Sequence, residues 1–257
     1  MVSVVRSPVA HRLEAPGLHR VGVVALSTDM TLEWDAARIL PHDRMVLHVS
    51  RVAFENPTTP ENLARMGPRL AEAAALIVPG ITLSAVLYGC TAASVTLGDA
   101  AVEASIGEAL PSVPVVTPPD AAVAAFAALS VRRVALVTPY LVETTRPMVR
   151  YFSGRGLEIV SAECMGISDD RDIARVDVES IVDIALAANR PDAEGIFLSC
   201  TALRAMDAIP TIEARLGKPV ISSNQASLWR LLQLSALGPS RLACGRLFEG
   251  LAEDATA

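Results

Sequence analysis

Aromatic side chains are scarce in this chain, 4% of 257 residues, although 51% are hydrophobic. A core of that make-up is built from Ala, Val, Leu and Ile, a balance suited to parallel sheets covered by Ala-rich helices. Basic residues form no cluster and the formal net charge is −6, so nucleic acid is not an expected partner. The four cysteines (Cys90, Cys164, Cys200 and Cys244) lie far apart with no C-x-x-C pair. That spacing argues against a disulfide framework and for reduced thiols in a cytoplasmic setting. The histidines, His11, His19, His42 and His48, stay in the first fifth of the chain and form no ligand spacing, so no metal is expected. No G-x-G-x-x-G or G-x-x-x-x-G-K-[ST] follows a strand-like run, and no G-x-S-x-G occurs, which disfavours nucleotide cofactors and serine hydrolysis. The longest uncharged stretch, Ala73 to Gly98, is broken by Pro79-Gly80 and is rich in Thr, Ser and Gly. It reads as helix end, loop, strand and helix start, and no membrane partner is expected. Residues 1–17 carry Arg6, His11, Arg12 and Glu14 without the apolar segment of a secretory signal and read as a flexible tail.

What is present is an internal repeat. Strand signals fall at Val21–Leu26, Met45–Val49, Ser84–Tyr88 and Val113–Val116, then again at Val134–Val137, Leu157–Val160, Gly195–Leu198 and Pro219–Ser222. Helical periodicity fills most gaps, as in Pro60-Glu-Asn-Leu-Ala-Arg-Met and Val178-Glu-Ser-Ile-Val-Asp-Ile-Ala. Strands alternating with helices of this length imply βαβ units and an α/β fold. Arg20-Val-Gly-Val-Val pairs with Arg133-Val-Ala-Leu-Val, Cys90 with Cys200, and Pro114-Val-Val with Pro219-Val-Ile, in the same order. The pattern predicts two pseudo-symmetric lobes, each a four-stranded parallel sheet flanked by helices. Residues 18–117 form the first lobe, with 227–257 packing back on it, and 118–226 form the second.

In such sheets ligands bind at the carboxyl ends of the strands, so the cleft between the lobes is the expected site. Its predicted lining comprises Ser27-Thr28-Asp29, Gly89-Cys90-Thr91, Pro139-Tyr140, Ser199-Cys200-Thr201 and Ser222-Ser223-Asn224. The two cysteines sit in Ala85-Val-Leu-Tyr-Gly-Cys90-Thr91-Ala and Gly195-Ile-Phe-Leu-Ser-Cys200-Thr201-Ala. Each follows a buried-strand run and precedes what reads as a helix start, where unpaired N–H groups and the helix dipole favour the thiolate and lower its pKa. One such cysteine is explained by packing alone; two in the same context point to chemistry. Cys164 and Cys244 lack that context and read as structural. Thr58-Thr59-Pro60-Glu61 reads as a helix start. Arg51 reads either as a carboxylate clamp or as a solvent-facing charge at a strand end.

At these residues the chain resembles the aspartate/glutamate racemase superfamily, and within it the branch containing maleate cis-trans isomerase and arylmalonate decarboxylase. The likeness is strongest from Leu129 to Glu249, in Ser130-Val-Arg-Arg-Val-Ala-Leu-Val-Thr-Pro-Tyr140, Ile196-Phe-Leu-Ser-Cys200, Asp207-Ala-Ile-Pro, Pro219-Val-Ile-Ser-Ser223 and Gly245-Arg-Leu-Phe-Glu249. The resemblance implies catalytic roles for Cys90 and Cys200 and no cofactor. Decarboxylases of the branch have glycine where this chain has Cys90, while maleate isomerases and amino-acid racemases keep both thiols. The decarboxylase dioxyanion pocket maps onto Thr91, Tyr140 and the backbone around Cys200-Thr201, but its second hydroxyl is replaced by Ala92.

The resemblance therefore implies a cofactor-independent two-cysteine isomerase, either a racemase/epimerase or a cis-trans isomerase, acting on a small carboxylic acid. An arylmalonate-type decarboxylase with Cys200 as proton donor and a non-catalytic small-molecule binder are the alternatives. Expected substrate contacts are Asp29, Thr91, Tyr140, Thr201, Ser27, Thr28 and Ser223. Maleate isomerases carry asparagine where this chain has Asp29. A carboxylate there repels an anion and welcomes an ammonium group, whereas the plain reading is a cap for a helix beginning near Thr31. An ectoine-utilisation group belongs to this branch, which makes amino acids and products of ectoine breakdown candidate substrates. The family also admits a homo-oligomer, on which the residues themselves are silent.

Overall fold

The computed structural model describes residues 2–10, 12, 17–240 and 245–254. Cys244 lies outside the described residues. The first sheet holds β1 (His19–Leu26), β2 (Met45–Val52), β3 (Ala85–Gly89) and β4 (Val115–Val116) in the order β2-β1-β3-β4. The second holds β5 (Arg133–Thr138), β6 (Glu158–Cys164), β7 (Gly195–Leu198) and β8 (Val220–Ser222) in the order β6-β5-β7-β8. Every pairing is parallel, and the two orders are the same. The predicted duplication is thus a duplication of topology. The central strands are continuous apolar runs because helices cover both faces: Val21 to Leu26 in β1 and all of β3 and β7 are buried. β4 is shorter than Val113–Val116. β6 runs on through Cys164, which is half-buried in that strand.

Register aligns the carboxyl ends that carry the site. Ala25 of β1 sits opposite Gly89 of β3, and Leu198 of β7 opposite Ser222 of β8. Gly89 suits this packing, since a Cβ there would lie 2.5 Å from Leu32 Cδ2 and the leucine side chain would have to shift. The helix Pro60–Ala64 begins as expected, with Thr59 Oγ1 accepting from the Asn62 N–H at 3.4 Å.

Two helices tie the lobes together. Pro118–Ala128 leaves β4 and carries the Phe126 ring to Phe197 of β7, centroids 6.1 Å apart and edge to face. Ser223–Leu234 leaves β8 and packs against β3, Leu32–Ile39 and Pro118–Ala128. Beyond it, the Ser240 N–H donates to Ile39 O at 2.8 Å, while the Arg246 N–H donates to the Glu213 carboxylate at 3.2 Å. The chain end therefore touches both lobes. Among the described residues no helix is long and apolar enough to cross a membrane.

Phe197 also meets Phe152 edge to face at 5.1 Å, so it is the centre of the second lobe's aromatic contacts. Phe197→Ala is expected to cost about 3–5 kcal/mol of unfolding free energy, read as a fall in urea midpoint. A loss below about 1 kcal/mol would mean that this ring does not hold the core.

Candidate active site

Cys90 ends the loop after β3 and caps the helix Thr91–Leu97, with the Ala93 N–H donating to its sulfur at 3.4 Å. Its Ser94 neighbour returns a hydroxyl to the Cys90 carbonyl at 2.7 Å. The expected helix-terminus setting is therefore present. Its expected effect is not: burial raises the Cys90 thiol above its ordinary range, and the charges of Asp170 and Asp29 add to burial. The N–H groups of Ala93 and Ala92 oppose this without overcoming it. A dipole of about half a charge does not offset removal from water together with two nearby carboxylates.

Cys200 departs further from expectation. No helix starts after it; the chain bends through Thr201–Leu203 before a short 3-10 turn at Ala205–Asp207. Cys200 itself has φ +113°, a region that side-chain-bearing residues rarely occupy. Its thiol too is pushed up, by burial and then by Asp170, while a hydrogen bond from Tyr140 acts the other way. Cys90 also raises it, and both sulfurs act on Tyr140, so the two thiols and the phenol share one buried neighbourhood. Cys90 is 6%, Cys200 4% and Tyr140 2% exposed.

The loops bearing the thiols are bolted to each other. Ser223 Oγ accepts from the Cys200 N–H at 3.0 Å and from Thr91 Oγ1 at 2.8 Å. Thr201 Oγ1 donates to Gly89 O at 3.0 Å, and Thr31 Oγ1 to Ala202 O at 2.6 Å. Asn224 Nδ2 donates to Thr201 O at 2.8 Å and to Asp35 Oδ2 at 2.7 Å. Asp35 in turn holds Arg38 at 2.8 Å, and Arg38 reaches Asp207 of the other lobe at 2.7 Å. Thr91, Thr201 and Ser223 thus stand at the thiols, with these hydroxyl contacts made to protein groups.

Asp29 caps as anticipated: its Oδ1 accepts from the Thr31 and Leu32 N–H groups, each at 2.8 Å, ahead of the helix Leu32–Ile39. It is also buried, and its charge acts on Cys90. Thr28 Oγ1 donates across the cleft to Asp170 Oδ2 at 2.6 Å. Ser27 is exposed, with its Oγ accepting from the Phe54 N–H at 3.0 Å, and stays outside the buried cluster. Arg51 is the exposed charge at the end of β2 that the second reading described, and it is not a free carboxylate clamp. It donates to the carbonyls of Leu26 and Asp29 at 2.9 Å and pairs with Glu33, bracing the first loop.

Asp170 is the residue that sequence reasoning missed. It lies at 4% exposure as the first residue of the short helix Asp170–Ile173 that follows β6, with its N–H donating to Asn56 Oδ1 at 2.9 Å. Burial, then the Asp29 charge among other causes, pushes its carboxyl up to about 6, against hydrogen bonding from Thr28. Asn56 sits in the matching loop after β2. The signal was available, because β2 and β6 end at the same cleft edge as the other strands. Among the described residues no group of three or more His, Cys, Asp or Glu is arranged to hold a metal ion.

Two parallel four-stranded lobes with a motif loop at the third strand of each place the chain in the aspartate/glutamate racemase superfamily, in its maleate isomerase and arylmalonate decarboxylase branch. Within it, the chain belongs to the arylmalonate decarboxylase family, whose model matches residues 66–248. It is 39% identical over 125 residues to an arylmalonate decarboxylase of Bordetella bronchiseptica, covering 48% of this chain and 52% of that enzyme. The chain is thus matched to about half the length of that relative. It is 24% identical over 247 residues to a maleate isomerase of Pseudomonas putida, covering 91% and 98% of the two chains. The crystal structure of a maleate isomerase of Pseudomonas putida superposes with a TM-score of 0.82 at 26% identity, covering 91% and 99%.

Asp35 and Asp170 are both raised from 3.8 to about 6 in the folded protein. Each binds its proton more tightly when folded, so its stabilising contribution is complete below about pH 4 and is lost as pH rises through 6. Asp170→Asn removes one such loss. The variant is expected to gain roughly 3 kcal/mol on wild type between pH 4 and pH 7.5, read from urea midpoints. A difference independent of pH would show that Asp170 does not titrate in this range.

Proposed function

We propose that the chain is a cofactor-independent isomerase that uses Cys90 and Cys200 as a facing acid–base pair on a small carboxylic acid. The observation that carries this is the convergence of the two equivalent thiols and Tyr140 in one buried cluster at the strand ends of both lobes. Packing alone gives no reason for thiols to recur at equivalent loops, coupled to each other and to a phenol. In the racemase form, one thiolate takes the proton α to the carboxylate, leaving an enediolate. The other thiol delivers its own proton to the opposite face, so each sulfur ends in the state the other began in. Tyr140, one of three tyrosines, is aimed at the Cys200 side of the cluster, where its hydroxyl can donate to the developing oxyanion. In the cis-trans form, one thiolate adds to the alkene, a proton is taken at the neighbouring carbon, the single bond rotates, and elimination returns thiolate and proton.

The likeness to maleate isomerases over nearly the whole chain supports an isomerase. The higher identity to an arylmalonate decarboxylase over half the chain supports a second reading, with Cys200 as the proton donor after loss of carbon dioxide. Cys90 favours the isomerase reading, because a decarboxylase needs one thiol and an isomerase of this kind needs two. Within the isomerase reading, Asp29 favours a nitrogen-bearing acid.

Cys90→Ser and Cys200→Ser are each expected to lower turnover by roughly 10²–10⁴-fold, with unchanged thermal midpoint and circular dichroism. The test panel is maleate, arylmalonates, hydroxy acids and α-amino acids. Full activity of either single variant removes the two-thiol mechanism. Loss confined to Cys200→Ser selects the decarboxylase reading.

A further inference from the structure

Two helices lead away from the thiol cluster and are fastened together at their far ends. The first, Thr91–Leu97, is capped by Cys90 and stops at Gly98, where a φ of +86° turns the chain straight into the helix Asp99–Ala109. Asp99 is therefore the first residue beyond the helix that Cys90 opens. The second helix, Val142–Gly154, starts two residues after Tyr140 and carries Tyr151 in its last turn, with Arg155 just past it. The two helices follow strands of different sheets, and they pack against each other.

Asp99 is buried, and its carboxylate gathers donors from three separate segments. Thr117 Oγ1 donates to Oδ1 at 2.7 Å, the Tyr151 hydroxyl donates to Oδ2 at 2.7 Å, and Arg155 pairs with the same oxygen. The Arg155 guanidinium also lies over the Tyr151 ring, 4.9 Å from its centroid, and reaches Asp120 at 2.9 Å. Burial, then the Asp99 carboxylate, pushes the Tyr151 hydroxyl up, so it stays a donor. Near its start, the same helix is anchored by Thr144 Oγ1, which donates to Thr58 O at 2.8 Å. Pro147 stands between the two anchors and has no N–H for the carbonyl one turn back. Each end of the helix is thus located by its own bonds.

We propose that Asp99, Tyr151 and Arg155 form a latch that sets the Tyr140 phenol against the Cys90 sulfur, by locking the far ends of the helices whose near ends present those two groups. The latch rests on the two-thiol reading, because that reaction is what needs the phenol. At a rise of about 1.5 Å per residue, it stands about 10 Å from Cys90 along one helix and about 14 Å from the Tyr140 end of the other. Apolar packing is non-directional and tolerates a small slide of one helix on another, whereas a buried hydroxyl–carboxylate bond has a preferred distance and direction. Both sulfurs act on Tyr140, so a shift of its phenol is felt at each. A misplacement of about 1 Å, caused far from the chemistry, is enough to cost about 100-fold in rate. Asp99, Tyr151 and Arg155 touch no reacting atom and are positioning residues.

The test uses the full chain with maleate, arylmalonates, hydroxy acids and α-amino acids as substrates. Tyr151→Phe keeps the ring beneath Arg155 and removes only the hydroxyl. It is expected to lower kcat roughly 10–100-fold with KM within about 3-fold of wild type, since the Tyr140 phenol acts most where the oxyanion develops. Ser161→Ala is the matched control: it removes a hydroxyl bond of 2.6 Å to Ala188 O, away from both helices. It is expected to lower the urea midpoint by a similar amount and to leave kcat unchanged. The deciding comparison is made in the Tyr140→Phe variant. There, adding Tyr151→Phe is expected to cost less than about 2-fold, because its effect passes through the phenol already removed, whereas a purely structural loss is carried over in full. An unchanged kcat in Tyr151→Phe, a loss confined to KM, or the same fractional loss with and without the Tyr140 hydroxyl overturns the latch and leaves the two-thiol function standing. A wild type showing no turnover that depends on Cys90 and Cys200 with any of these acids overturns both.

Discussion

The site depends on one hydroxyl. Ser223 Oγ accepts from the backbone N–H of Cys200 and from the side chain of Thr91, the neighbour of Cys90. A single oxygen thereby fixes the separation of two loops that come from different sheets. Because Ser223 opens the helix that runs from the second lobe back onto β3, the bond also ties that helix to both thiols. Thr201 to Gly89 is the reciprocal strut, from the second motif to the strand end before the first. Lobes related only by a duplicated topology have no intrinsic reason to keep a fixed register. These short buried bonds, with Thr31 to Ala202 and Asn224 to Thr201, supply it.

The electrostatic character of the cleft follows from the same closure. Once the loops are bolted together, Asp29, Asp170, Cys90, Cys200 and Tyr140 are all removed from water, and the carboxylates disfavour ionisation of the thiols while, of these groups, Tyr140 alone eases that of Cys200. A protein that packed these groups for stability alone would have placed a cation among them or used neutral isosteres. Stability is instead given up where acidity is wanted, the pattern of sites whose groups must change protonation during a reaction. Asp35, also buried and raised, differs in kind. It has Arg38 and Asn224 as partners and stands behind the Cys200 loop as part of the scaffold.

The fold was legible because it rests on patterns that sequence displays directly: apolar runs of strand length, helical periodicity and a repeat in fixed order. The thiol pair was legible for the same reason, as Cys-Thr-Ala occurs at both equivalent positions. What escaped was whatever depends on three-dimensional closure. Asp170 stands in Ser168-Asp-Asp-Arg-Asp172, a run that reads as a solvated surface turn, and only the pairing of its loop with Asn56 and Thr28 buries it. The raised thiols escaped for a related reason, since a local rule about helix ends cannot register two carboxylates arriving from distant loops. Of the two readings of Arg51, the exposed strand-end charge is the one present, and the carbonyls of the first loop occupy part of its guanidinium.

The two motifs, alike in sequence, present their sulfurs by different means. Cys90 has φ −151° and sits unstrained at a helix start, with two N–H groups directed at its sulfur. Cys200 has φ +113°, a conformation costing of order 1–3 kcal/mol in a side-chain-bearing residue. Glycine would relieve that cost at once, so the thiol is what the strain retains. It persists because both sides of the residue are held: Ser199 N–H to Val137 O at 2.8 Å before it, and the carbonyls of Thr201 and Ala202 after it. The strained turn directs the second sulfur at Tyr140 rather than at a helix terminus. In the proposed reaction the two thiols therefore meet their proton from unlike surroundings, one backed by amides and one by a phenol. That inequality gives the pair a physical basis for preferring one face of the substrate over the other.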